Sequence, residues 1–514
     1  MSREVYITTP LYYVNASPHI GHAYTNVISD TLARYFRLEG EKVFFLTGTD
    51  EHGQKVKNAA LAEGKEVKEF TDNIVDNFIA LWRKLNISYD DFIRTTQARH
   101  VKVVKEALIR LHKRGDIYLS VYKGFYCMPC ESFWLASQLK EGKFCPDCGR
   151  EVEEVEEKNY FFRLSRYQDW LQGFLKSNPG FIFPDYRYNE VLSFVENSRL
   201  SDLCISRPKS RVDWGIEIPF DKNYVTYVWF DALLNYISAA GAFFDEERFS
   251  RLWPAEVHFI GKDILRQHAV YWPIMLKALG LEMPKRVVAH GWWLAGEEGK
   301  DKISKSKGNV VGPDELIDEF GSDALRFFLL REVPLGLDGK FSRRALILRI
   351  NSDLSNDWGN LVFRSLNMLA KYFHSRLPEA KKSMPSRYIS IHQNLYSQYQ
   401  KNMKRANFTR ALEEVWKLIT AANKSIEEEK PWQLYKDKKT DELSYFIYHL
   451  FEAIRVACLF LYPFLPSSCR DIYRRFTGKD ILTRPLKEAI EWGSLEAGQL
   501  IDKGNPLFPR FDVD

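Results

Sequence analysis

Two short segments, far apart in the chain, carry residue types that suit polyphosphate chemistry. Residues 19–22 read HIGH, and residues 302–306 read KISKS within a loop rich in glycine and lysine. Either segment alone is a weak signal, because strings this short occur by chance. Solvated or capping histidines and an exposed basic loop are the ordinary alternatives. The presence of both segments, in this order, favours a site that binds a polyphosphate.

The histidine segment is predicted to open a helix. It follows an apolar strand at residues 5–7 and a turn-rich stretch ending in Pro18, which pre-sets the backbone for a first helical turn. Apolar residues then recur at helical spacing: Ile20, Val27, Ile28, Leu32 and Phe36. His19 and His22 therefore share one face of the helix N-terminus, where free N–H groups and the helix dipole attract anions.

Strand and helix patterns alternate in the first part of the chain, which predicts an α/β fold with a doubly wound sheet. Later strand runs lie at residues 42–46, 224–229, 257–260 and 286–289. The run at 42–46 leads into TGTDEHG at 47–53, and ligands gather at the C-terminal ends of such strands. Amphipathic helical patterns at 342–372, 389–426 and 441–465 predict an all-α bundle in the last third.

Composition fits a multidomain enzyme. The chain has 514 residues, of which 45% are hydrophobic and 27% charged, as in ordinary globular proteins of about three or four domains. The net charge of +5 permits a polyanionic partner without demonstrating one. No apolar run approaches the roughly 20 residues of a membrane span, and no targeting signal is evident at the N-terminus. We therefore expect a cytoplasmic protein without a membrane partner.

Four of the seven cysteines form two Cys-x-x-Cys pairs. Cys127 and Cys130 make up the first pair, and Cys145 and Cys148 the second, with residues 131–144 between them. Two such hairpins complete a closed tetrahedral site for Zn²⁺. Closed coordination leaves no position for water, so the single zinc ion is expected to be structural. A redox pair or unliganded thiols are the alternatives.

The segments at 19–22 and 302–306 resemble the HIGH and KMSKS signatures of class I aminoacyl-tRNA synthetases. Five stretches are similar to methionyl-tRNA synthetases rather than to their leucine, isoleucine, valine or cysteine relatives: YITTPLYYVNASPHIGH at 6–22, FFLTGTDEHG at 44–53, YVWFDALLNY at 227–236, FIGKDILRQH at 259–268 and KPW at 430–432. The similarity covers nearly the whole chain in the right order. Ile303 stands where the signature more often has methionine, which leaves the lysines in place.

The resemblance implies a Rossmann-type catalytic domain with a zinc-bearing insertion, followed by an all-α helical bundle that binds the anticodon. The implied domains are the first catalytic half (1–115), the connective insertion with the zinc knuckle (116–222), the second catalytic half (223–295), the KMSKS loop and stem-contact region (296–345) and the anticodon-binding domain (346–514). The implied partners are tRNA(Met), methionine and ATP. A monomer is expected, because the chain stops where the core of this family usually ends.

The implied reaction is ATP-dependent activation of methionine to methionyl-adenylate, then transfer to the 3′ end of tRNA(Met), for translation initiation and elongation. Mg²⁺ accompanies the ATP. His19 and His22 would contact the ATP phosphates, while Lys305, with Lys302 beside it, would neutralise charge on the leaving pyrophosphate. The remaining residues of the implied ATP site are Gly21, Gly261, Asp263 and Ser304.

The resemblance also implies a methionine site. Asp50 would hold the substrate ammonium, although a helix N-cap is its ordinary alternative. The side-chain pocket would comprise Leu11, Tyr13, Trp229, Ala232, Leu233, Tyr236, Ile264 and His268. Such a set suits a polarisable thioether, and Tyr13 and His268 could offer polar contacts to the sulfur. Without the resemblance, an aromatic-rich set of this kind is more often plain core.

Three residues in the last third are assigned by the resemblance to the CAU anticodon. Asn360 and Arg364 lie four residues apart on one predicted helix face, and Trp432 follows a Lys-Pro pair. The tryptophan would stack on a splayed base while the other two read base edges, as is usual for single-stranded RNA. A polar pair on a helix surface and a packing tryptophan are the alternatives.

Two other functions stay open. A class I nucleotidyltransferase could use the HIGH segment on a small molecule without tRNA, but it would not need the insertion or the bundle at 346–514. A synthetase-like RNA-binding or regulatory protein could have lost the chemistry, but His19, His22, Lys302 and Lys305 are all present. Pyrophosphate exchange with methionine, with and without tRNA, separates the three functions.

Overall fold

The structure is a computed structural model that describes residues 3–127, 132–134, 136, 139–146, 148–295, 301–302 and 312–513. The chain divides into two compact units. The first unit comprises Met1–Pro18, Phe44–Ala80 and Tyr89–His290. The second unit comprises His19–Val43, Leu81–Ser88 and Gly291–Asp514. Each unit draws on separate parts of the sequence, so neither coincides with a single predicted domain.

Strands and helices alternate in the first unit, and helices dominate the second. The strands are β1 (Val5–Thr8), β2 (Tyr12–Tyr13), β3 (Val43–Asp50), β4 (Asp91–Arg94), β5 (Ile117–Cys127), β6 (Ser132–Trp134), β7 (Glu153–Phe162), β8 (Ile182–Phe183), β9 (Leu203–Cys204), β10 (Ser206–Pro208), β11 (Tyr224–Thr226), β12 (Val257–Gly261), β13 (Val287–His290), β14 (Trp293–Ala295), β15 (Asp301–Lys302) and β16 (Gly339–Lys340).

The α-helices of the first two-thirds of the chain are α1 (Ile20–Leu38), α2 (Gln54–Ala62), α3 (Val67–Lys84), α4 (Ala98–Lys113), α5 (Gln168–Ser177), α6 (Asp185–Asn197), α7 (Val228–Leu233), α8 (Asn235–Ala240), α9 (Glu246–Leu252), α10 (Trp272–Leu279), α11 (Pro313–Phe320), α12 (Ser322–Arg331) and α13 (Arg343–Arg349). Those of the last third are α14 (Asn360–Phe373), α15 (Ser386–Lys404), α16 (Phe408–Glu429), α17 (Pro431–Lys436), α18 (Thr440–Leu461), α19 (Pro466–Thr477) and α20 (Leu486–Ala489). Two π-helical segments, Gln267–Tyr271 and Ile350–Gly359, interrupt this pattern.

A parallel sheet organises the first unit. Its strand order is β2-β3-β1-β12-β13-β8, and β4 pairs with β3. All four residues of β13 are buried, as are four of the five in β12. Parallel strands covered on both faces read as continuous apolar runs rather than as alternating ones, which explains the pattern seen in the sequence. The predicted α/β fold class is confirmed.

The predicted insertion is built mainly on an antiparallel sheet. β5 and β7 pair along their length, from Ile117 opposite Phe162 to Tyr126 opposite Glu153, and the sheet order is β6-β5-β7-β9. β8 lies within the same stretch of chain but pairs with β13 of the parallel sheet, through Phe183 opposite Val288. Part of the predicted insertion therefore belongs to the main sheet, and the boundaries at 116 and 222 stay a prediction.

Two sequence expectations differ from the structure. The apolar run at 224–229 predicts a further strand of the main sheet, but β11 pairs antiparallel with β10 outside that sheet, and α7 begins at Val228. A short apolar run fits a strand and a buried helix equally well. The helical pattern at 389–426 is divided between α15 and α16, with Ala406 at a φ of 57° between them.

The helices of the second unit surround a long apolar one. α18 is, among the described residues, the helix long and apolar enough to cross a membrane, with a mean hydropathy of 1.4 over its most apolar window. However, 94% of that window is buried inside the protein. Such burial is typical of the core helix of a bundle.

Candidate active site

The carboxyl ends of the parallel strands bring several predicted site residues to one edge of the first unit. Tyr13 of β2 lies directly opposite Asp50 of β3, and Asp50 is 3% exposed. Gly261 ends β12, in the same sheet. A Cβ atom on Gly261 would lie 2.5 Å from Oδ1 of Asp263, so only glycine lets this carboxylate fold back over the strand end. Ligands bind at this edge in open α/β sheets.

The predicted methionine-pocket residues come from short elements that follow the strands. Trp229, Ala232 and Leu233 lie on α7, Tyr236 lies on α8, and His268 lies on a π-helical turn. Single π-helical turns inside helices are frequent at functional sites. The main core of the unit contains Leu233 and Tyr236, and Leu11 and Ile264 pack against it.

Tyr13 and Trp229 pack against smaller clusters than Leu11 and Ile264 do. Tyr13 packs on the cluster that includes Val14 and Val56. Trp229 packs on the cluster of Tyr126, Val155 and Tyr227. Of these, Tyr126 lies in β5 and Val155 lies in β7. The buried indole N–H of Trp229 has no hydrogen-bond partner in the part of the chain that the structure describes. An aromatic of the predicted pocket is thus tied to the insertion.

A hydrogen-bond chain fixes the protonation of His268. Its Nδ1 lies 2.9 Å from the Ile264 carbonyl oxygen, which can only accept, and its Nε2 lies 2.7 Å from the Tyr236 hydroxyl. Burial lowers the pKa of His268 to about 4, so the ring is neutral at pH 7. Nδ1 therefore donates and Nε2 accepts from Tyr236. Both nitrogens are engaged, so the predicted polar contact to a thioether would require one of these bonds to be exchanged.

The HIGH segment lies at the start of α1 in the second unit. His19 is the N-cap, and its Nδ1 accepts from the Gly21 N–H at 3.1 Å. His22 Nδ1 accepts from the His19 N–H at 3.2 Å, and the two rings stack with centroids 3.9 Å apart. A Cβ atom on Gly21 would lie 2.9 Å from Cε1 of His19. The predicted helix start is confirmed, and the glycine leaves room for the capping ring.

The KISKS segment begins at the end of a short strand of the second unit. β15 pairs antiparallel with β14, placing Lys302 opposite Leu294, and β14 pairs parallel with β16. Lys302 thus begins the segment at the end of a strand. Ile303, Ser304 and Lys305 lie outside the described residues, so their predicted roles stay predictions.

Three of the four predicted zinc ligands form a compact cluster in the first unit. The sulfur atoms of Cys127, Cys145 and Cys148 lie within 4.8 Å of one another, and those of Cys127 and Cys148 are 3.5 Å apart. A turn carries the second pair: the Gly149 N–H donates to the Cys145 carbonyl, with Gly149 at a φ of 71°. Cys130 lies outside the described residues.

The three predicted anticodon residues lie on two helices of the second unit. Exposed Asn360 opens α14, and Arg364 follows one turn later, where its Nη2 donates to Glu427 Oε1 at 2.6 Å. Trp432 lies on α17 and is 45% exposed. A single-stranded base could reach a tryptophan exposed to this extent.

Sequence reasoning missed a second aromatic beside Trp432. Tyr435 of α17 is 50% exposed, and its ring stacks on Tyr372 of α14 with centroids 4.7 Å apart. This stack anchors α17 to the helix that carries Asn360 and Arg364. The spacing of three residues between Trp432 and Tyr435 places both aromatics on one helix face, and that spacing was visible in the sequence.

Family models and relatives account for this arrangement over nearly the whole chain. The family described as tRNA synthetases class I (M) matches residues 5–156 and 148–366, and the anticodon binding domain of methionyl tRNA ligase matches residues 380–513. The methionine–tRNA ligase of Caldanaerobacter subterraneus subsp. tengcongensis is 48% identical over 518 residues, covering 100% of this chain and 80% of that protein. The chain belongs to the methionyl-tRNA synthetase family.

Other methionyl-tRNA synthetases agree. The Thermotoga maritima enzyme is 44% identical, covering 99% of this chain and 81% of its own. A crystal structure of the Mycobacterium tuberculosis methionyl-tRNA synthetase bound by methionyl-adenylate has a TM-score of 0.92 at 39% identity, covering 99% of this chain and 100% of that one. Its apo form has a TM-score of 0.86 at 37% identity, covering 100% and 99%. The resemblance drawn from the sequence is confirmed.

Proposed function

We propose that this chain activates methionine with ATP to form methionyl-adenylate and then transfers the methionyl group to tRNA. The observation that carries the proposal is the match of 99% of the chain, at a TM-score of 0.92, to a methionyl-tRNA synthetase that holds methionyl-adenylate. The anticodon-binding family match at residues 380–513 supports tRNA as the acceptor.

The capping geometry of α1 supports a phosphate-binding role for His19 and His22. Because Nδ1 of each ring accepts a backbone N–H, the proton of each neutral ring resides on Nε2. An Nε2–H group can donate to a phosphate oxygen, and the helix N-terminus attracts the same anion. The capping and phosphate interpretations are therefore compatible, since capping selects the tautomer that phosphate binding requires.

We assign the neutralisation of the leaving pyrophosphate to Lys302 and Lys305, with Gly21 and Ser304 completing the phosphate end of the ATP site. This assignment rests on the sequence. Mg²⁺ bound with the ATP would supply further neutralisation of phosphate charge. Gly261 and Asp263, which share the strand end described above, would contact adenosine.

The sheet edge supports the proposed methionine site. Asp50 is a buried carboxylate beside Tyr13, and a buried carboxylate stabilises the charged form of an ammonium group. Leu233 and Tyr236 of the main core, with Leu11 and Ile264, which pack against that core, would surround the side chain. Neutral His268 and the aromatic rings supply a polarisable apolar lining, which suits a thioether.

The cysteine cluster fits one structural zinc ion. Zn–S bonds of about 2.3 Å in a tetrahedron place sulfur atoms about 3.8 Å apart, close to the 3.5 Å between Cys127 and Cys148. We propose Cys127, Cys130, Cys145 and Cys148 as the ligands. With four thiolates and no open position, the ion would stabilise the tip of the β5–β7 hairpin and take no part in the reaction.

We further propose that Trp432 stacks on an anticodon base and that Asn360 and Arg364 read base edges. Arg364 would then exchange its ion pair with Glu427 for the RNA. A cytoplasmic location and a monomeric state stay predictions from the sequence.

Two measurements on the same protein, pyrophosphate exchange and charging of tRNA, separate the proposal from its two rivals. A methionyl-tRNA synthetase catalyses methionine-dependent pyrophosphate exchange without tRNA and also charges tRNA. A small-molecule nucleotidyltransferase would give no charged tRNA, and a binding protein without the chemistry would give neither product. Charged tRNA together with tRNA-independent exchange is the expected result.

A further inference from the structure

A buried carboxylate that the reaction does not use lies beside the proposed methionine pocket. Asp231 of α7 is fully buried, and each of its two oxygens meets a histidine. Oδ2 lies 2.7 Å from Nδ1 of His52, and Oδ1 lies 2.7 Å from Nε2 of His100. His52 is 7% exposed and His100 is fully buried.

The carboxylate is ionised at neutral pH. Burial alone would raise the pKa of Asp231, but His52 and His100 lower it to about 2. An ionised carboxylate only accepts hydrogen bonds, so His52 must donate from Nδ1 and His100 from Nε2. The second nitrogen of His100, Nδ1, lies 3.0 Å from the Ser238 hydroxyl oxygen, which itself lies 2.8 Å from the Leu234 carbonyl oxygen.

This network connects four elements of the first unit around the proposed pocket. His52 lies two residues beyond Asp50, at the end of β3, while Asp231 lies on α7 between Trp229 and Ala232. His100 lies on α4, and Ser238 lies on α8 with Tyr236. The helix that would line the methionine side chain is thus tied to the strand end that would bind the methionine ammonium.

We propose that Asp231 is a positioning residue for methionine, and that its bond from His52 Nδ1 fixes α7 relative to the end of β3. Neither side chain needs to touch the substrate. The inference rests on the proposed function. It adds the residues that fix the position of α7, which would line the methionine side chain, relative to the end of β3, which would bind the methionine ammonium. A misplacement of about 1 Å between such halves can lower a rate about a hundredfold.

The test compares two amides at position 52. The side-chain nitrogen of asparagine can occupy the place of Nδ1, whereas that of glutamine reaches the place of Nε2. We expect His52→Asn to keep the KM for methionine within about threefold of wild type and His52→Gln to raise it by about tenfold or more. Asp231→Asn should resemble His52→Gln, and the KM for ATP should change little in all three variants.

The readouts are methionine and ATP KM values in pyrophosphate exchange, with methionine binding to each purified variant measured by equilibrium dialysis. Equal methionine KM values for His52→Asn and His52→Gln would overturn the proposal, as would a parallel rise in both KM values, which indicates general damage to the fold. If Asp231→Asn does not fold, the pair at position 52 still decides. Failure of the proposed function is distinct, because the wild type itself would then show no methionine-dependent exchange.

Discussion

At the scale of single residues, the hydrogen bonds of the site histidines determine what each ring can do. His19 and His22 accept backbone N–H groups through Nδ1, which leaves the ring proton on Nε2. His268 has the opposite tautomer, because Nδ1 donates to a carbonyl and Nε2 accepts from Tyr236. The residue type in the sequence does not specify the tautomer, which depends on neighbours distant in the chain.

The neutral state of His268 makes methionine binding insensitive to mild acid. Burial lowers the pKa of this ring to about 4, below the ordinary value of about 6.5, so the ring gains a proton only as the pH falls towards 4. We expect the KM for methionine to stay flat from pH 8 to 5. A rise with a midpoint near 6.5 that disappears in His268→Gln would contradict this protonation state.

Substitutions of Trp432 test whether tRNA recognition and methionine activation depend on different residues. Stacking of a base on an aromatic side chain contributes about 1–3 kcal/mol, so Trp432→Ala should lower kcat/KM for tRNA aminoacylation by at least about tenfold. Trp432→Phe keeps an aromatic face and should retain most of that activity. Pyrophosphate exchange without tRNA should stay near wild type in both variants. A parallel fall in both assays would make Trp432 a packing residue of the bundle.

At the scale of elements, a buried charge cluster holds the helix of the HIGH segment within the second unit. Oδ2 of Asp30 on α1 lies 2.7 Å from Arg34 Nε and 2.7 Å from Arg326 Nη2 on α12. Burial opposes the charge, but the two arginines and Ser88 lower the pKa of Asp30 to about 2. Such pairs add little net stability, yet removal of one partner is strongly destabilising.

The hairpin with the cysteine cluster should depend on its metal. Protein purified without added metal should contain about one zinc per chain by elemental analysis. Cys145→Ser should lose the zinc, because it removes a thiolate ligand, while Cys204→Ser, at a buried cysteine outside the cluster, should keep it. Fully active protein without bound metal would contradict the proposed site.

Strands and helices were predictable where a local sequence pattern determines them, and were not predictable where contacts between distant segments determine them. The strands at 5–7, 257–260 and 286–289, and the start of α1, followed from continuous apolar runs and from Pro18. The break at Ala406 carries no glycine or proline signal, whereas the π-helical turn that contains His268 ends two residues before Pro273, which lacks the N–H of a regular helix. Asp231 lies within the family-like stretch at 227–236, but its proposed role depends on His52 and His100, which only the fold brings close to it.

At the scale of the whole molecule, the order of motifs predicted the family, but the distribution of segments between the two units was not predictable. α1 belongs to the second unit although the strand before it belongs to the first, and β8 joins the main sheet from within the predicted insertion. Pairings between segments far apart in sequence leave no local pattern. Because Ser304, Lys305 and Cys130 lie outside the described residues, their proposed roles rest on the sequence alone.

The most direct test of the central claim is aminoacylation of an in vitro transcript of tRNA(Met), with radiolabelled methionine and ATP, beside the same transcript with its CAU anticodon replaced. The proposed function predicts methionine attached to the 3′ end of the CAU transcript, strongly reduced attachment to the replaced one, and exchange of pyrophosphate without either. Pyrophosphate exchange with no attachment of methionine to the CAU transcript would contradict the claim.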